Sequence, residues 1–131
     1  YKKRLCSMSK LDDATRLHHM LNASRESVAF VKGKSREDLD SDRILSLALV
    51  RLIEIVCEAA TNVSKQKQSE LSGIYWQQII GMRIRIAHSY FGIDLDVVWQ
   101  TIVEDFPLLI SQLEQVISDE DYANPNYRNY S

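Results

Sequence analysis

The chain of 131 residues is 45% apolar and 26% charged, with four Gly and two Pro and a net charge of -2. That profile excludes a disordered or collagenous chain and gives no global electrostatic footprint for binding nucleic acid, so any basic site must be local. One domain with a real core is expected, and no stretch reaches the roughly 18 uninterrupted apolar residues that span a bilayer.

The opening "YKKRLCSMSK", residues 1–10, lacks the apolar run of a signal peptide and reads as a leader or upstream extension before a helical domain over 11–118. A cytoplasmic protein is expected. Cys6 and Cys57 lie far apart with no CxxC spacing, so reduced thiols are expected. From Leu11 to Val31, the residues Ala14, Leu17, Leu21, Val28 and Val31 recur at helical steps and predict a first helix. His18 and His19 sit on it without a cluster of further ligands, and no metal site is expected.

"GKSRED" at 33–38 predicts a short loop, after which Asp40 or Ser41 offers an N-cap for a second helix, "DRILSLALVRLIEIVCEAATN". Almost every position from Ile44 to Ala60 is apolar or small, with Arg51, Glu54 and Glu58 as the main polar stripe. A helix apolar on nearly all sides must be buried on nearly all sides. Three intramolecular neighbours struggle to cover it, which points to a two-fold homodimer; a central helix covered by its own chain is the alternative.

"SKQKQSELSG", 64–73, reads as a loop that can hold a short helical turn. A third helix is predicted from about Tyr75 to Phe91, then "GIDLD" supplies a stop and Asp94 or Asp96 as a cap. A fourth helix runs from Val97 to Ile117, with a kink or restart near Asp105 forced by Pro107. After Ser118 the sequence "DEDYANPNYRNYS" loses periodicity and reads as a flexible tail over 119–131, whose Tyr122, Tyr127 and Tyr130 could stack on bases. The fold class expected is an all-α, up-down bundle of four to five helices.

Within the third helix, "GMRIRIAHSYF" places Arg83, Arg85, His88 and Tyr90 in apolar surroundings. On a continuous helix, positions seven apart lie nearly in line and positions five apart diverge by about 140°. Arg83 and Tyr90 then share a face, whereas Arg83 and His88 meet only if the helix end distorts or two subunits appose. Arginine binds phosphate bidentately and histidine moves protons near neutral pH, which suits RNA cleavage without a metal. Surface arginines beside a hydrogen-bonded histidine are the plain structural alternative. Glu58, in the stripe with Arg51 and Glu54, belongs to an ion-pair row or else orients Arg83 or His88.

The segment "GMRIRIAHSYFGIDLDVVWQTIVEDFPLLISQLE", with "RLIEIVCEAATNVS" upstream, resembles the HepT-like branch of the HEPN superfamily. That branch is marked by Arg, four to six residues, then His, with Tyr two residues later; here these are Arg83, His88 and Tyr90. The resemblance implies an all-α homodimer with one ribonuclease site built from both motifs, acting as the toxin of a toxin–antitoxin pair. Its cognate antitoxin is a minimal nucleotidyltransferase (MNT type) that attaches AMP from ATP to the motif tyrosine, here Tyr90. No cofactor is implied for the toxin, and Arg85 would support the catalytic pair. Two departures stand out: Ile84 replaces a usual polar residue, typically Asn, and Cys57 replaces a usual Gly. Ile84 favours the competing reading, a weak or inactive module that binds nucleotide or docks a nucleotidyltransferase; a purely structural helical dimer is the third.

Overall fold

In a computed structural model of the chain, residues 2–87 and 92–121 are described, with side-chain surroundings for 13–87 and 92–117. Helix α1 spans Lys2–Val31, α2 Asp38–Ser41, α3 Arg43–Asn62, α4 Lys65–Glu70, α5 Trp76–Ile86 and α6 Leu95–Gln100. A π-helical turn, Thr101–Asp105, then leads into α7, Phe106–Asp121. Among the described residues there is no strand, so the chain is all-α as expected.

Helix α1 packs along α3 and α7, and α3 packs in turn against α5. Of the apolar register expected on this helix, Leu17, Leu21 and Val31 are buried, joined by Met20 and Ala23, while Ala14 and Val28 are half-buried. Ser24 and Ser27 are also buried, and each hydroxyl donates to the carbonyl one turn back, to Met20 at 2.7 Å and Ala23 at 2.8 Å. Small residues with satisfied hydroxyls let neighbouring helices approach without stranding a polar group. The helix begins well before Leu11, because nothing in residues 2–10 is Gly or Pro and most are good helix formers.

Three expectations are corrected. The cap of α3 is Asp42, not Asp40 or Ser41: its carboxylate accepts from the Leu45 amide at 3.0 Å, and those two residues belong instead to α2, which starts at the last residue of the loop expected at 33–38. Residues 64–73 contain a full short helix, because the Ser64 hydroxyl caps it and is itself held by Asp13 of α1 at 2.6 Å. Helix α5 stops at Ile86 rather than Phe91. The Asp94 amide donates to the Ile86 carbonyl at 3.1 Å and closes the helix; Gly92, at φ 150°, takes a backbone conformation other residues avoid.

Asp94 caps α6 as expected, accepting from Asp96 and Val97. The restart near Asp105 is also found. Pro107 has no N–H to give the ladder, and immediately before it the Phe106 amide reaches the Thr101 carbonyl, five residues back, which defines the π turn. Arg36 ties the loop before α2 to the start of α6, 2.6 Å from Asp96 and 3.2 Å from Asp40. Those two carboxylate hydrogen bonds, Asp96 first, hold its pKa above the usual arginine value.

Helix α3 carries both the core and an uncovered edge. Leu49, Ile53, Val56 and Ala60 are fully buried by the chain itself. Along the opposite stripe, Ile44 is 82% exposed and Leu47 48% exposed, followed by exposed Arg51 and Glu58. The helix is therefore not apolar all round, and its own chain covers the larger part.

Candidate active site on α5

Arg83 and Arg85 sit in the last turn of α5, where two cations oppose the negative end of the helix dipole. Two residues of helix rotate them by about 200°, so they flank the buried face made by Ile79, Met82 and Ile86 from opposite sides. Both are exposed. Arg85 bends back along the helix and its Nη2 donates to the Gln78 carbonyl at 3.3 Å. Between them Ile84 is 72% exposed, so the position that departs from the family pattern lies at the surface beside Arg83.

Below this turn lies Cys57 of α3, 1% exposed. Its Sγ donates to the Ile79 carbonyl at 3.1 Å, joining α3 to α5. Burial pushes the thiol up to about 11, against the opposing pull of an Arg83 main-chain hydrogen bond and the Arg83 and Arg85 cations. The thiol is neutral at physiological pH and acts as a packing group, not a nucleophile. Cys57 is free, as expected; the side chain of Cys6 lies outside the described set.

His88, Tyr90 and Phe91 lie outside the described residues, as do Tyr122, Tyr127 and Tyr130. Since α5 ends at Ile86, the angular argument relating Arg83 to His88 and Tyr90, which needs one helix through Phe91, does not extend past Ala87. Glu58 projects from the exposed stripe of α3, and among the described residues no ion pair joins it to Arg83. The expected ion-pair row is partial: Arg51, exposed, and Glu54, half-buried, approach to 3.6 Å. His18 is buried and His19 exposed on α1.

Two features were not visible in the sequence. Between α5 and α7 a small groove of about 120 Å³ has Met82, Phe106 and Leu109 in its lining and Glu104 and Asp105 at its acidic side. Partial burial raises the Asp105 carboxyl; the Arg85 cation lowers it and neighbouring Glu104 raises it further. Between α4 and the start of α5 a wider cleft of about 480 Å³ opens beside Tyr75, which is 62% exposed. The adjacent aromatics in "SGIYW" after a polar run were the only hint of it.

An all-α bundle with an arginine pair at the exposed end of one helix is a class shared by many binding and catalytic proteins. Comparison with known sequences narrows it. The family model described as "Ribonuclease HepT-like" matches residues 20–116, which takes in α3, α5 and the whole Arg83–Tyr90 segment, and the chain belongs to that family within the HEPN superfamily. It is 36% identical over 104 residues, 79% of this chain and 93% of the relative, to "Putative RNase TTE0752" of Caldanaerobacter subterraneus subsp. tengcongensis. It is 34% identical over 80 residues, 61% of this chain and 73% of the relative, to "Probable ribonuclease HepT" of Thermococcus cleftensis. No solved structure matches. Among the described residues no helix is long and apolar enough to cross a membrane.

Proposed function

We propose that this chain is the toxin of a toxin–antitoxin pair and a metal-independent endoribonuclease whose cleft forms where two copies meet. The supporting observation is exposed apolar area on two packed helices: on α5 an exposed guanidinium adjoins 72%-exposed Ile84, and α3, which packs against α5, leaves Ile44 and Leu47 uncovered. Exposed aliphatic side chains on packed helices are the material of a two-fold contact. Such a contact would gather two copies of Arg83 and of His88, five residues on in the sequence, into one cleft.

In this reading His88 takes the proton from a ribose 2'-hydroxyl, whose oxygen attacks the adjacent phosphorus as the bond to the 5'-oxygen breaks. The second His88 donates a proton to that leaving oxygen, which leaves a 2',3'-cyclic phosphate and a 5'-hydroxyl. Arg83 neutralises the extra charge of the pentacoordinate transition state, and Arg85 and Glu58 support the pair. DNA, without the 2'-hydroxyl, is spared. The partner is a minimal nucleotidyltransferase that moves AMP from ATP to the Tyr90 hydroxyl, releasing pyrophosphate. The added phosphate then competes with RNA for the arginine.

RNA incubated with the protein and EDTA should be cut, with His88→Ala and Arg83→Ala each slowing cleavage by about 100-fold or more. Intact RNA with the parent protein would refute the nuclease. After incubation with ATP and the nucleotidyltransferase, mass spectrometry should find one adenylate per modified Tyr90; suppression with Tyr90 bare would refute that control. Ile84 supports the second reading, a weak or inactive module that binds nucleotide or docks a nucleotidyltransferase, since an alkyl group stands where a polar side chain is usual. Ile84→Asn should raise cleavage several-fold if Ile84 attenuates a working site, and leave it at zero if the site is inactive.

A further inference from the structure

The α4–α5 cleft lies away from Arg83, and it differs in chemistry from the groove on the other side of Tyr75. Among the described residues Lys65 is the one charged residue lining it, beside Ser69, Ser72, Gln77 and Gln78, and no described carboxylate lines it. The α5–α7 groove instead carries Glu104 and Asp105. A phosphate-bearing strand is repelled from the acidic groove and accepted by the other. At about 480 Å³ the cleft has the volume of a small-ligand site, and hydroxyls and amides can satisfy base edges.

The ring of Tyr75 stands at the cleft's edge, 62% exposed, where its own chain does not use that apolar area. Trp76 behind it is 7% exposed, its Nε1 donating to the Leu71 carbonyl at 3.0 Å, so the wall is rigid. Tyr75 and Gln78 line both the cleft and the acidic groove, and the Gln78 carbonyl holds the Arg85 guanidinium. Arg83 lies eight residues along α5 from Tyr75, about 12 Å of helix, and Arg85 reaches back across part of that span. Cations stand at one end of that span and an aromatic face and a lysine at the other, a few nucleotides apart.

We propose that Tyr75 and the α4–α5 cleft form a base-stacking subsite that holds a nucleotide of single-stranded RNA a short distance from the Arg83 centre. Tyr75 supplies the stacking face and Lys65 the phosphate contact; neither takes part in bond cleavage. The proposal rests on the ribonuclease reading for its substrate class, but binding tests it separately.

The probe is a fluorescein-labelled 2'-O-methyl oligoadenylate of about eight nucleotides, which cannot be cut because its 2'-oxygens are blocked. Anisotropy is measured with the full chain and with Tyr75→Ala, Tyr75→Phe and Lys65→Gln. Tyr75→Ala should weaken binding by roughly 5- to 150-fold, the range for losing one base–aromatic stack, while Tyr75→Phe stays near the parent. Lys65→Gln should reduce the slope of log affinity against log salt by about 0.7, one single-strand phosphate contact. In a Trp99→Phe background, the unlabelled oligonucleotide should quench Trp76 fluorescence.

Equal affinity for the parent and Tyr75→Ala, with both folded by circular dichroism, overturns the subsite, and RNA cleavage by the parent would then leave the nuclease reading standing. A Lys-rich peptide that quenches Trp76 where the oligonucleotide does not also overturns it, in favour of a protein occupant. Stacking at Tyr75 together with no RNA cleavage by the parent upholds the subsite and removes the nuclease.

Discussion

Helix α3 shows two different surfaces along one length of chain. Toward α1 and α5 it presents Leu49, Ile53 and Val56, which are closed off from water. Toward solvent it presents Ile44, Leu47, Arg51 and Glu58. The first surface is satisfied within the chain, whereas the second has apolar area left uncovered and sits on the helix that packs against the arginine-bearing α5. The lesson is that composition alone misjudges such a helix: an aliphatic run from Ile44 to Ala60 demands cover on most sides, yet which residues go uncovered depends on where α1 and α5 lie.

The largest effect expected separates these surfaces by stability. Phe106 is fully buried at the join of the π turn and α7, and Phe106→Ala should cost about 3–5 kcal/mol in urea unfolding. That is a large part of the whole stability of an ordinary domain. A loss below about 1 kcal/mol would show that the inner surface is not the continuous core described here.

Cys57 sharpens the comparison through pH, since it lies under the arginine turn yet belongs to the inner surface. Its folded thiol is raised to about 11 from an ordinary value near 9, chiefly by burial. The neutral thiol is favoured in the fold, so its contribution is complete below about pH 9 and declines as pH rises toward 11, when the unfolded chain ionises first. The span corresponds to at most about 2–3 kcal/mol. Unfolding measured from pH 8 to 11 should fall less steeply for Cys57→Ala than for the parent; parallel curves would place the thiol in contact with water.

The outer surface predicts an effect on association instead. Ile44→Asp, at a side chain 82% exposed, should change monomer stability by no more than about 0.5 kcal/mol. It should weaken the proposed dimer by tenfold or more, which light scattering over a concentration series would register. A parent chain that is monomeric at every concentration would remove the dimer and the shared cleft with it.

Much of this division was legible in the sequence, for reasons tied to particular residues. The register of Leu17, Leu21 and Val31 is local and periodic, Asp94 caps α6 from its own sequence position, and Pro107 forces a break wherever it stands. What was missed depends on contacts outside the repeating pattern of a single helix. Ser64 becomes a cap within a clasp made by Asp13, 51 residues earlier, and α5 ends where Asp94 returns to the Ile86 carbonyl. Arg83 could be marked by its motif spacing. The Tyr75 cleft could not, because Lys65 and Tyr75 share a wall only once α4 folds as a helix instead of a loop.

The smallest effect expected concerns Asp105, which borders the groove between α5 and α7 on the far side of Tyr75 from the cleft. Burial raises its carboxyl, with Arg85 opposing and Glu104 adding to the shift. A raised carboxyl means that the fold prefers the protonated form, so stability is complete below the ordinary carboxylate range and declines as pH climbs through the raised value. Asp105→Asn removes that penalty and should stabilise the protein at pH 7 while making no difference near pH 3. Because the group is exposed and solvent screens it, the gain should stay below about 0.5 kcal/mol. Destabilisation at pH 7 would show instead that the Arg85 attraction outweighs burial. The acidic groove would then be anchored to the arginine turn, and not merely beside it.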